Sequence, residues 1–131
     1  NKREPDYKHI EEIAGEAYMP VAYGGGITTF EQAKTIFSVG IEKIVINSSF
    51  YTSETLIREI ADYAGSQSVV VSIDAKKNWR GQYLCYSDGG QVKRKRTPEE
   101  AAKQAEAAGA GEIFINSIDN DGMFCGYDKA L

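Results

Sequence analysis

Residues 40–48 (GIEKIVINS) return as residues 109–117 (GAGEIFINS), aligned without a gap and 69 residues apart. An interval of that size holds two strand–helix units, so the strands bearing the two copies occupy alternate places in a series. In a barrel of eight parallel strands, side chains of alternate strands share a layer, which gives such an echo a structural meaning. A complete barrel takes about 250 residues, and this chain has 131. The expectation is an α/β partial (β/α)8 barrel with about four parallel strands, a single half-barrel unit over residues 1–131.

The segments around the echo agree. Asp6 to about Ala17 puts Tyr7, Ile10, Ile13, Ala14 and Ala17 on one helical stripe. Pro20 bars helix, and Val21 to Tyr23 reads as a strand running into Gly24, Gly25 and Gly26. Thr28 and Thr29 precede Glu31 and Gln32 at capping-box spacing, and the helix they start stops at Gly40. Lys43 to Ile46 is the next strand, and Leu56, Ile57, Ile60 and Ala61 line the helix after it. Val69 to Asp74 is mostly β-branched with almost no polar interruption, as in a strand covered on both faces. Thr97, Pro98 and Glu100 then open an Ala-rich helix ending at Gly109, and Glu112 to Ile115 is the fourth strand. The order αβαβαβαβ implies a parallel sheet with right-handed crossovers.

One connection breaks the rhythm. The 23 residues from Ala75 to Thr97 separate a strand from its helix, where about 2–6 are usual. Gln82 to Ser87 alternates as a strand does, and Asp88-Gly89 is a hairpin signal. A small β-hairpin is therefore expected over about 78–96, inserted above the sheet.

Composition narrows the partners. A net charge of −4 gives no argument for nucleic acid or a membrane surface. No apolar run approaches the roughly 20 residues of a membrane helix, and no signal peptide is visible. Cys85 and Cys125 form no C-x-x-C motif, and two free thiols in a cytoplasmic protein are expected. The chain lacks an initiator Met and stops just after a turn-like Gly126-Tyr127-Asp128, which reads as a fragment.

Four strands deliver four polar ends: Gly24 to Gly26, Asn47 with Ser48, Asp74, and Asn116 with Ser117, Asp119 and Asp121. Ligands collect beyond the carboxyl ends of parallel strands, so Asp74 either faces the chemistry or only serves the loop from Ala75. The glycines free backbone N–H groups to approach an anion, or merely make a tight turn. Asn47 and Ser48 suit phosphate oxygens, or simply start the next helix. A second carboxylate opposite Asp74 would suit general acid/base work. Asp119 to Gly122 lacks the later Glu of a calcium loop, so no metal is expected. Lys93 to Arg96 reads as a solvated turn. Trp79, Tyr83 and Tyr86 read as hairpin packing. Lys43 and Glu112 begin strands, at the mouth where stability is the usual role.

Several motifs in fixed order carry a family resemblance: Gly24 to Ile27, Ile46 to Ser48, Gly65 to Lys76, Gly109 to Ile113, Ser117 to Gly122, and Gly126 to Asp128. The chain resembles the cyclase subunit of imidazole glycerol phosphate synthase, from histidine biosynthesis, over strands three to six of that family's barrel. The resemblance implies ammonia supplied by a glutaminase subunit, and closure of an imidazole ring on a phosphorylated substrate. The products would be imidazole glycerol phosphate and an aminoimidazole carboxamide ribotide. No cofactor is implied. Asp74 matches a catalytic carboxylate; Gly25, Gly26, Asn47 and Ser48 match a phosphate site. Asn116, Asp121 and Gly122 match substrate-contacting positions. Lys43 and Glu112 match half of a charged ring at the ammonia entrance, with Gln67 on the partner-facing side. Asn116, Asn120 and Met123 stand where the family usually has Thr, Arg and Thr, and the tetrabasic segment is atypical. A related branch amidinates surface-polysaccharide sugars. The family's second catalytic Asp and second phosphate site fall outside these residues, so the fragment is expected to be inactive alone. It is also expected to self-associate through its unpaired edges. A non-catalytic half-barrel is the remaining alternative.

Overall fold

The computed structural model describes residues 4–121, 128 and 131. Helix α1 (Tyr7–Glu16) is capped by Asp6, whose carboxylate accepts the His9 N–H at 3.2 Å. Strand β1 (Ala22–Gly24) leads to α2 (Phe30–Ser38), where Thr29 and Gln32 form a reciprocal capping box. Strand β2 (Lys43–Ile46) passes through a 3-10 turn, Ser48–Tyr51, to α3 (Glu54–Ala64). After a second 3-10 turn come β3 (Val69–Lys77), β4 (Tyr83–Ser87) and β5 (Val92–Lys93). Helix α4 (Pro98–Ala108) has Pro98 in its first turn and a Thr97–Glu100 capping box, and β6 (Glu112–Ser117) follows.

The sheet runs β1-β2-β3-β6 in parallel, the arrangement that the alternation of elements predicts. Strand β3 lies between the two copies of the echo, with Ile44 opposite Val69 and Glu112 opposite Val70. The helices cover one face. Ile36, Ile44, Ile46, Ile57, Ile60, Val69, Val71 and Ile73 are fully buried there, and each such side chain contributes roughly 1.5–3 kcal/mol. The period of two sends Lys43, Val45, Val70, Ser72 and Asp74 to the opposite, inner face. This is part of a (β/α)8 barrel, half-way round.

The segment after Asp74 differs from expectation. Strand β3 does not stop at Asp74 but continues to Lys77 and pairs antiparallel with β4, Asp74 opposite Tyr86 and Lys77 opposite Tyr83. A short β5 then adds to β4. The insertion is the expected hairpin, β4 with β5, and it joins the end of β3 as an extension of the sheet itself. Because β6 already pairs with Asp74 and Ala75 on one side, β4 takes the side of β2, beyond where β2 ends. The turn from β3 to β4 is held by Asn78, whose side-chain oxygen accepts the N–H groups of Arg80 and Gln82. Trp79 does not pack the hairpin: it is 87% exposed at that turn, with Arg80 lying over its ring.

Candidate functional site

The carboxyl ends of β1, β2 and β3 meet in a cavity of about 300 Å³. Gly25, Gly26, Thr28, Asn47, Ser48 and Asp74 line it, and Asp88 and Gly89 close it from the insertion. Gly25 (φ 122°) and Gly26 (φ 69°) both lie in left-handed backbone. No side chain obstructs Gly25, so conformation and not crowding calls for glycine there.

Asp74 is held from both sides. The Asn47 amide donates to its Oδ2 at 3.1 Å from β2's end, and the Asn116 amide donates to its Oδ1 at 3.3 Å from β6. A chain of bonds sets the orientation of Asn47. The Asp88 N–H donates to Ser48 Oγ at 3.0 Å, and that hydroxyl faces Asn47 Oδ1 at 3.4 Å. With its oxygen occupied by Ser48, Asn47 turns its NH2 toward Asp74. The insertion thereby fixes a residue at the end of β2. The Ser49 hydroxyl donates to the Ile27 carbonyl and ties the β1 and β2 loops together.

At the other end of the strands, the Lys43 ammonium pairs with Glu112 beneath β3, both side chains part-exposed. Gln67 is exposed near this mouth, beside Lys43 and Tyr63 in a shallow depression. Asp121 is exposed and makes no contact with the cavity among the described residues. Gly122 and Cys125 lie outside the described residues. Cys85 is buried and free, with burial pushing its thiol above the usual value.

Three features were not anticipated from sequence. Asp88 and Gly89 form a cavity wall, which only the position of β4 above β2 brings about. Asp119 and Asp128 pin the loop after β6: the Asp119 carboxylate accepts the Lys77 N–H at 3.0 Å. Asp128 meets Lys77, Tyr83 and Asn120. The basic segment is not merely solvated either. Arg94 stacks over Tyr51 at 5.1 Å, donates to Ser87 Oγ at 2.9 Å and lies 3.7 Å from Asp88.

Fold and site together define a part-barrel protein whose polar strand ends meet at one cavity. The chain belongs to the histidine biosynthesis protein family, whose model matches residues 1–131. It is 52% identical over 129 residues to a Pseudomonas aeruginosa protein named "Putative imidazole glycerol phosphate synthase subunit hisF2", covering 98% of this chain and 51% of that one. The hisF3 subunit of Vibrio vulnificus, named in the same terms, is 44% identical over 95% of this chain and 48% of its own. Imidazole glycerol phosphate synthase subunit HisF of Pyrococcus furiosus is 44% identical over 93% of this chain and 48% of its own. The chain spans about half the length of the curated relatives it matches.

Proposed function

We propose that this chain forms the central part of the cyclase subunit of imidazole glycerol phosphate synthase, a cytoplasmic enzyme fed ammonia by a glutaminase subunit. The whole protein closes an imidazole ring and releases imidazole glycerol phosphate and aminoimidazole carboxamide ribotide. The observation that carries this reading is the Asp74 carboxylate, clamped by Asn47 and Asn116 at the edge of the cavity that Gly25, Gly26 and Ser48 line. One end of the cavity suits a phosphate, met by glycine backbone N–H groups and the Asn47 and Ser48 side chains. Asp74 stands beside it, oriented to take a proton from the closing ring and return one. By the family resemblance, Asp121 and Gly122 are further substrate-contacting positions, and Asp121 lies outside the cavity described above. The Lys43–Glu112 pair lies where ammonia enters, at the opposite mouth of the strands. The 131 residues alone do not carry out cyclisation, since the family's second catalytic carboxylate comes from another strand.

Restoring growth of a cyclase-deficient histidine auxotroph with the full-length gene tests this reading. Growth is expected, and is lost with Asp74→Asn. A second reading draws on Asn116 and Asn120, which depart from the family pattern and bond Asp74 and Asp128 respectively, and on the numbered names hisF2 and hisF3 of two relatives. There the same barrel delivers ammonia for amidination of a surface-polysaccharide sugar. A folded full-length protein that fails to restore growth supports this second acceptor.

A further inference from the structure

The segment Arg94 to Arg96 leaves the strand in a particular way. Arg94 donates its N–H to the Cys85 carbonyl at 2.8 Å, while the Cys85 N–H donates to the Arg96 carbonyl at 2.9 Å. One residue of β4 therefore faces three residues of the returning chain, a bulge that re-aims side chains. Together with Tyr51 these three cations line a separate pocket of about 200 Å³. Arg94 is fixed there by the Tyr51 ring and Ser87. The neighbouring carboxylates are otherwise occupied: Glu99 pairs with Lys103, Glu100 caps Thr97, and Glu54 accepts from Gln104. Asp88 lies by Arg94. Lys95 and Arg96 have no ion-pair partner among the described residues.

We propose that Tyr51, Arg94, Lys95 and Arg96 form a second anion site, for a single phosphoryl group, outside the cavity that holds Asp74. Its size admits one tetrahedral dianion. Arginine forks match such oxygens in geometry as well as charge, and the Tyr51 ring provides a flat floor. On a chain of net charge −4, a compact pocket of three cations, only one of them ion-paired among the described residues, is a local reversal of field. The insertion thus presents one face to each of two sites, Asp88 and Gly89 to the first and Arg94 to Arg96 to the second.

The test is a titration of the ¹⁵N-labelled full-length polypeptide with inorganic phosphate at constant ionic strength, followed by amide NMR. Saturable shifts are expected at Tyr51 and Arg94 to Thr97, with their own dissociation constant. They persist in Asn47→Ala and weaken about tenfold or more in Lys95→Gln/Arg96→Gln, as loss of charge-assisted bonds requires. A matched chloride titration leaves them unmoved, and acetate moves them less than phosphate. The proposal is overturned if these amides do not shift in the unmodified protein, if chloride shifts them equally, or if a folded double variant binds as before. The wild-type arm decides the matter even where a variant fails to fold. Loss of phosphate at Gly26 and Asn47 with retention here overturns the first site and not this one.

Discussion

Asn47 and Asn116 occupy the same place in the two copies of the echo and bond opposite oxygens of one carboxylate, that of Asp74. Strand β3 is the local axis of this arrangement, because β2 and β6 flank it in parallel. Their consequences should differ, since of the two only Asn47 also lines the cavity. In the full-length enzyme, Asn116→Ala is expected to lower kcat by roughly 10- to 100-fold with little change in KM, a positioning effect. Asn47→Ala lowers kcat and raises KM together. Steady-state kinetics separates the two, and equal effects on both constants in both variants would refute the division.

The echo also pairs Lys43 with Glu112 at the other end of the same strands. Both side chains are part-exposed, so the pair adds at most about 1 kcal/mol to stability. Lys43→Ala should leave the melting temperature nearly unchanged. Its effect should appear as a fall in glutamine-dependent turnover while turnover on free ammonia persists. A parallel loss of both activities would remove the entrance role.

Expressed as these 131 residues, the polypeptide should associate through β6. Ile113, Phe114 and Ile115 are 36%, 58% and 40% exposed, and an apolar strand whose second edge is open among the described residues invites pairing. Sedimentation velocity is expected to show mass rising with concentration, and Phe114→Lys to suppress it. A monomer throughout would dispose of this expectation.

Backbone crowding gives a sharper stability contrast. A Cβ at Gly111 would lie 2.4 Å from the Ser66 carbonyl oxygen, which accepts the Gly111 N–H at 3.0 Å. Gly111→Ala must move main chain and should cost about 2–4 kcal/mol. Gly15, in α1, has nothing within 4 Å, and Gly15→Ala should gain about 0.5–1 kcal/mol from helix propensity. Urea unfolding of both variants checks the sign of each.

The sequence carried the parallel order of β1, β2, β3 and β6 because hydrophobic period and capping residues are local signals, and Thr29 and Thr97 each cap as their spacing indicates. The meeting of Gly26, Asn47 and Asp74 followed from strand direction alone. What was not legible was the side of β3 on which the insertion would pair. Alternation in Gln82 to Ser87 announces a strand but says nothing of its partner. With β4 above β2, Asp88 becomes a cavity wall and Arg94 turns inward onto Tyr51, so charge in the basic segment misled where register decided.

Alkaline pH should weaken the packing beneath the insertion. The Tyr51 hydroxyl is enclosed against the Cys85 thiol. Burial, then the neighbouring thiol, hold the Tyr51 hydroxyl above its ordinary value; burial does the same to Cys85. For both groups the folded state keeps its proton longer than the unfolded chain. Their contribution is therefore complete below the ordinary thiol value of 9.0 and declines as pH rises beyond it, because the unfolded chain then binds fewer protons. Thermal melts from pH 7 to about 11 should show the melting temperature falling above about pH 9. Tyr51→Phe removes one of the two ionisations, so its decline should be shallower. Cys85 should resist alkylation in the native state at pH 8 and react at the rate of unfolding. Rapid labelling of Cys85, or a Tyr51→Phe curve parallel to that of the unmodified chain, would show that this pocket opens to water.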